Sequence, residues 1–357
     1  MQAFLPRIEI SLSQIQHNAQ ILSELYRQKG ISLMGVTKAT LGEPAIAAAM
    51  LQGGINFIAD SRLKNIQRMK DAGISAQFVL LRTALSQAEL VIRTVDISLN
   101  TELETIKALS RYAKAQNKIH QIIIMVELGD LREGILPDDL APLIHKVLGL
   151  PNIDIIGIGC NLACYGGIKP DAQNMDELSE LAAAVETEFQ MNFTIVSGGN
   201  SANYEWYQSN QGIGRINNLR VGESILLGCE TVCGREIPRL YRHAFTLIAE
   251  VIEAKEKPSL PFGAICQDAF GNIPAFIDQG IQHRAIIALG RQDVLVSSLS
   301  AENDVEILGS SSDHIVLDSK DCDLKIGSEV RFNLDYGGIL SAMTSPFIQK
   351  KMLSHFQ

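Results

Sequence analysis

The chain has no Lys/Arg-rich stretch, no apolar run long enough to span a bilayer, no Cys-x-x-Cys pair and no close pair of histidines. Each absence removes a class of function. A net charge of -9 without a basic patch argues against nucleic acid or an anionic membrane surface as partner. The opening Met1 to Ile10 lacks a basic start followed by a long apolar segment, and no later stretch approaches the ~20 apolar residues of a spanning helix. The expectation is a cytoplasmic protein. Among the six cysteines, Cys160 and Cys164, like Cys229 and Cys233, are four apart and unaccompanied by histidines at ligand spacing. Reduced, mostly buried thiols are expected rather than structural zinc. The histidines, at 17, 120, 145, 243, 283, 314 and 355, form no metal-binding pair, which disfavours a metal-dependent hydrolase. A dinucleotide fingerprint is also missing, since Gly157-Ile158-Gly159 lacks the third glycine and does not follow the first strand.

What is present is material for a large core. The 357 residues are 46% hydrophobic and 20% charged, which excludes disorder and predicts two domains. Short β-type runs lie at 31–36, 55–59, 77–81, 95–99, 121–126, 154–159, 193–196 and around 219–227, with amphipathic stretches such as 15–28 and 101–115 between them. Such alternation predicts an α/β fold, a (β/α)8 TIM-type barrel over residues 1–234. After Gly234 the runs at 245–252, 285–289, 314–317 and 329–334 follow without regular helices, so residues 235–357 read as a mainly β C-terminal domain.

Lys38 closes the first run. An amine at the mouth end of a buried strand can lose its charge and attack a carbonyl. Most strand-end lysines are simply solvated, so its company matters more than its position. Three further segments fall at strand ends, where barrel enzymes place their working groups. Ser197-Gly198-Gly199-Asn200-Ser201 offers backbone N–H groups and a hydroxyl suited to phosphate oxygens, although a Gly-Gly turn is a common connection. Leu219 to Ile225 carries Arg220, Gly222 and Glu223; the plain alternative is an ion pair between Arg220 and Glu223 or another carboxylate. Val126 to Gly134 carries Arg132, whose forked donors suit a carboxylate or phenolic oxygen, the alternative being a loop ion pair with Asp130 or Glu133.

Together these segments resemble the pyridoxal-phosphate-dependent amino-acid racemases of the alanine racemase fold, over nearly the whole chain. The resemblance is closest to the branch that includes ornithine racemases, on Gly129-Asp130-Leu131-Arg132-Glu133-Gly134, the 161–167 stretch Asn-Leu-Ala-Cys-Tyr-Gly-Gly and the 290–294 stretch Gly-Arg-Gln-Asp-Val. It implies pyridoxal 5'-phosphate as cofactor, an amino-acid substrate and a homodimer with shared active sites. By that resemblance Lys38 is the lysine that attaches the cofactor and one of two catalytic bases. Ser201, Gly222 with its neighbour Glu223, and Tyr336 match phosphate-binding positions; Arg132 lies near the phenolic oxygen, and Asn161 replaces a ring-stacking histidine. Arg220 faces the pyridine nitrogen. Arginine only donates, so that nitrogen stays unprotonated and the cofactor is a weaker electron sink, which favours return of the proton to Cα over transamination.

The pattern breaks at the second base. Alanine racemases use a tyrosine from the partner's β domain, whereas the matching stretch here, Ala264 to Gly271, has none. Cys266 lies nearest the expected place, with Asp268 beside it, and the plain reading of Cys266 is a packed strand residue. Gly42 replaces a phosphate-binding tyrosine and Met125 a lysine near the substrate. Both changes open space for a longer, basic amino acid whose ammonium needs a carboxylate such as Asp293 or Asp268. Two competing readings are a non-catalytic carrier of the cofactor and a decarboxylase. The long β region counts against the first, and Arg220, where decarboxylases carry an acid, against the second.

Overall fold

Short apolar strands alternating with helices bury both of their faces only when the sheet closes. The computed structural model of the chain describes residues 6–353. After a first strand, β1 (Arg7–Ser11), and helix α1 (Leu12–Arg27), eight parallel strands close into a barrel: β2 (Ser32–Val36), β3 (Phe57–Asp60), β4 (Gln77–Leu80), β5 (Ile97–Asn100), β6 (His120–Met125), β7 (Ile153–Gly159), β8 (Ile195–Ser197) and β9 (Asn218–Val221). The helices that follow them in turn are α2 (Pro44–Gln52), α3 (Leu63–Asp71), α4 (Ala88–Thr94), α5 (Leu103–Ala115), α6 (Pro137–Leu148), α7 (Ala172–Phe189), α8 (Tyr204–Ser209) and α9 (Glu223–Leu227). This is the expected (β/α)8 barrel.

Its interior is one apolar cluster drawn from β2 to β8, including Met34, Val36, Ala59, Val79, Leu99, Ile123, Met125, Ile156 and Ile195. Truncating one such side chain to alanine costs about 2–5 kcal/mol. β9 differs, because Asn218 and Arg220 are polar at alternate, buried positions. Closure of the ring is fastened by Asn18 on α1, whose Nδ2 donates to the carbonyls of Ile225 (3.0 Å) and Tyr241 (2.8 Å) while Oδ1 accepts from Tyr241 N–H (2.8 Å).

One run differs from expectation. The apolar stretch 219–227 is half strand and half helix: β9 ends at Val221 and α9 starts at Glu223, with Gly222 between them. A continuous apolar run does not by itself distinguish a buried strand from a buried helix, and the break comes where the chain passes close to Val36.

The second compact unit joins the segment ending at Ser11 to the chain from His243 onward, while the barrel unit is Leu12–Arg242. The sequence reading divides the chain at 234 and assigns its start to the barrel, so the two divisions differ by β1 and by residues 235–242. Its strands are β10 (Phe245–Pro258), β11 (Ile281–Ile287), β12 (Leu299–Ala301), β13 (Glu306–Ser310), β14 (Ile315–Asp318), β15 (Glu329–Leu334) and β16 (Gln349–Leu353), with helix α10 (Tyr336–Thr344) before the last. The sheet order is β12-β15-β10-β11-β14-β13, and β1 pairs antiparallel with β10 and parallel with β16. Arg7 holds β1 in place through a two-pronged bond to Glu329 (2.8 Å each) and Nε to Glu9 (3.0 Å), partners more than three hundred residues away or beside it that no local pattern announces.

Candidate active site

The turn that carries Lys38 is built by its neighbours. Thr37 donates from its backbone N–H to Ala59 O (3.0 Å) and from Oγ1 to Asp60 Oδ2 (2.8 Å), while Asp60 Oδ1 accepts from Arg62 N–H and Asn65 Nδ2, both 2.9 Å. Asp60 is fully buried, and burial raises its pKa against those bonds. Lys38 follows β2 as the first residue of a 3-10 turn, Lys38–Thr40. It is half-buried, and among the described residues no carboxylate pairs with it. Gly42 has φ +58°, and a Cβ there would stand 2.7 Å from Asn65 Cβ, so this backbone admits no tyrosine at that position.

Arg220 is buried on β9, and among the described residues no carboxylate pairs with it, unlike the ion pair weighed above. Its Nη1 donates to Ser197 Oγ (2.5 Å), and its Nη2 to Cys160 O (2.6 Å) and, more weakly, Asn161 Oδ1 (3.4 Å). Burial lowers its pKa, as it must for a cation held only by neutral acceptors. Beside it Cys160 is pushed up to about 12 by burial, so its thiol stays protonated and unreactive. Asn161 Oδ1 also accepts from Asn200 Nδ2 (3.2 Å), but its own Nδ2 is buried with no partner among the described residues. Ser201 is buried, and its Oγ accepts from Ser224 N–H (3.1 Å) at the start of α9, which leaves the hydroxyl hydrogen without an acceptor among the described residues. Gly222 caps α9, and a Cβ on it would sit 3.0 Å from Val36. The strand ends of β2, β8 and β9 thus bring Lys38, Ser201, Arg220, Gly222 and Glu223 to one rim, with Asn161 arriving after β7.

Arg132 lies on the loop after β6 and pairs through Nε and Nη2 with the carboxylate of Glu133, the loop ion pair that the sequence offered as its plain reading. The loop is held by Glu127, which accepts from Gly129 N–H (2.6 Å) and Arg132 N–H (3.2 Å), and by Asp130. Asp130 is fully buried and accepts from the N–H groups of Tyr165 (2.9 Å), Cys164 (3.3 Å) and Ile168 (3.4 Å). Burial works against its charge, yet those backbone bonds hold its pKa below the usual carboxylate value.

The remaining sequence candidates lie in the β unit. Tyr336 opens α10 behind its N-cap Asp335, which accepts from Gly338 N–H (3.0 Å). Cys266 is exposed in an irregular segment and is not a packed strand residue. Asp268 accepts from Phe270 and Asn272 N–H groups (2.8 Å each), which depress its pKa, Asn272 contributing most. Asp293 is buried, with Oδ2 accepting from Gly290 N–H (2.9 Å). It lines a cleft of about 680 Å³ with Arg291, Leu295, Ser310, Ser341 and Thr344.

Glu205, Glu230 and Cys233 bring three metal-capable atoms within 4.8 Å of one another. Glu230 is already bonded to the N–H groups of Val232, Cys233 and Arg235, and Glu205 pairs with Lys169 and Arg235. The cluster is a neutralised network. Sequence reasoning did not single out Ser197 as a partner of Arg220, nor Asn200, Asn218 or Asp60. The only signal was their place at strand ends.

Among the described residues the donor set fits a phosphorylated, ring-bearing aldehyde: an amine without a counter-charge, an unpaired buried amide donor, a free hydroxyl hydrogen, a close backbone approach at Gly222 and an arginine lacking an anion. Residues 10–229 match the alanine racemase N-terminal domain family, which is pyridoxal-phosphate-dependent. The chain is 41% identical to an ornithine racemase of Acetoanaerobium sticklandii over 98% of its own length and 99% of that protein. It is 39% identical to a lysine racemase of Thermotoga maritima over 97% of its length and 98% of that protein. In fold it is similar to the alanine racemase of Bacillus anthracis, with TM-score 0.77 and 17% identity over 99% of this chain and 97% of that one. By the family match and the near-complete coverage of two racemases, this chain belongs to the alanine racemase family and is an amino-acid racemase, an isomerase.

Proposed function

We propose that the chain binds pyridoxal 5'-phosphate at the barrel mouth and interconverts the enantiomers of a basic amino acid, ornithine or lysine, as a cytoplasmic homodimer. The observation that carries this is Arg220, among the described residues a buried guanidinium with neutral partners only, beside the orphaned Nδ2 of Asn161. Six free cysteines suit a reducing compartment, and among the described residues no helix is long and apolar enough to cross a membrane.

When bound, the cofactor supplies an aldehyde carbon and an electron-accepting ring. Lys38 Nζ would be its point of attachment, and its neutral amine would remove and return the Cα proton on one face of the substrate. Arg220 would donate to the ring nitrogen and could not protonate it. Asn161 would contribute its amide donor, and Arg132, from within its pair with Glu133, would orient the phenolic oxygen. Ser201 and the backbone N–H groups of Gly222 and Glu223 would hold the phosphate, a task that the resemblance also gives to Tyr336. The proton on the opposite face would belong to the exposed Cys266 of a second copy. Asp268 is a poor base because its bonds favour the ionised form, and the same bonds make it a lasting anion suited to the substrate's distal ammonium. Asp293, committed to Gly290, suits that task less.

Incubation with L-amino acids in heavy water tests the reading. Loss of optical rotation together with deuterium at Cα for ornithine or lysine, and none in Lys38→Ala, is the expected result. Carbon dioxide release, or inertness of a protein that binds the cofactor, overturns it.

A further inference from the structure

Arg220 is set by a hydrogen-bond chain whose direction is fixed at both ends. A guanidinium has no acceptor site, so Ser197 Oγ can only accept from Nη1. The single hydroxyl hydrogen of Ser197 then goes to Asn218 Oδ1, 2.8 Å away. That orients the Asn218 amide, whose Nδ2 donates to Ser32 O (3.3 Å) and Ser32 Oγ (3.1 Å). A backbone carbonyl only accepts, and Ser32 Oγ spends its own hydrogen on Asn217 O (3.0 Å). Every proton in the chain therefore has one place, and all of its side-chain members except Ser32 are buried. Nothing in it is charged but Arg220.

We infer that Ser197 and Asn218 are positioning residues that hold Arg220 as an uncompensated cation, aimed at an acceptor in the cofactor ring. The inference rests on the reading of Arg220 given above. A carboxylate at either position would neutralise the guanidinium, and an alanine at 197 would free Nη1 to turn toward another acceptor. The neutral hydroxyl and amide fix direction without cancelling charge. A purely structural role would affect folding of the apoprotein and leave the cofactor's properties alone.

The test compares wild type, Ser197→Ala, Ser197→Thr and Asn218→Asp as purified holoenzymes. Cofactor dissociation is followed by the visible band of the Lys38-linked cofactor, reaction outcome by the ratio of keto acid to racemised product, and folding by melting of each apoprotein. Ser197→Ala is expected to weaken cofactor binding about tenfold, to shift the band and to raise the keto-acid fraction, with kcat falling more than KM rises. Ser197→Thr, which retains the hydroxyl, is expected to restore the wild-type band and ratio. Asn218→Asp is expected to shift the band even where its apoprotein melts as wild type does. A wild-type protein without a Lys38-linked band overturns the functional reading and this inference with it. A normal wild type whose Ser197→Ala and Asn218→Asp variants share its band, affinity and product ratio overturns the inference alone.

Discussion

His120 shows how a single buried residue sets acid tolerance. It is 3% exposed, its Nε2 lies 2.8 Å from Ser98 Oγ, and burial, aided by the charge of Lys118, lowers its pKa from 6.5 to about 4. The unfolded chain takes up this proton below pH 6.5 while the fold resists it, so stability is undiminished above 6.5 and declines as pH falls toward 4, by roughly 3 kcal/mol. Urea titrations across that window are expected to show the decline, and His120→Gln to flatten it. At the site, Arg220→Glu sets a carboxylate against Cys160 O and Asn161 Oδ1, both acceptors. Racemisation is expected to drop roughly a hundredfold and keto acid to accumulate, read by chiral chromatography of the products. Neither residue's environment is legible locally. His120 and Ser98 lie on neighbouring strands, and the partners of Arg220 come from β8 and from the residues after β7.

At the scale of elements, the working loops are fastened by backbone bonds more than by side-chain pairs. Asp130 ties the loop after β6 to the one after β7 through three N–H groups, and its own carbonyl accepts from Gly166 N–H (3.0 Å). Asp130→Ala is expected to cost about 2 kcal/mol and to lower turnover several-fold while far-ultraviolet circular dichroism stays unchanged, because loops move and strands do not. In the sequence Asp130 was visible only as a possible partner for Arg132. Its actual partners are N–H groups about 35 residues further on, and nothing in side-chain type marks a backbone donor. The run 219–227 makes the same point for secondary structure, since its apolar composition suits strand and helix alike and the closeness of Gly222 to Val36 marks where one gives way to the other.

At the scale of the molecule, the segment between β10 and β11 exposes Phe262 (92%), Ile265 (52%), Ile273 (74%) and Ile277 (83%). Apolar side chains concentrated this way suit a surface that another chain covers, and the proposed homodimer would supply one. Sedimentation is expected to show a dimer. Phe262→Asp with Ile277→Asp is expected to yield monomers of unchanged fold whose racemase activity falls at least tenfold and rises again with protein concentration. A monomeric wild type with full activity would rule out a site completed by a second copy.

The amino-acid order alone determined the barrel, the mainly β region after it, and Lys38 as the residue to watch. Alternation of apolar runs with helical stretches is a local property, and so is a lysine at a strand's end. Tertiary structure decided the rest: that β1 pairs with strands from the far end of the chain, that Arg220 has no counter-charge among the described residues, that Arg132 is held by Glu133, and that Cys266 is exposed. The physical reason is register. Which donor meets which acceptor depends on how distant strands align, and that alignment is fixed by closure of the whole sheet rather than by any one segment.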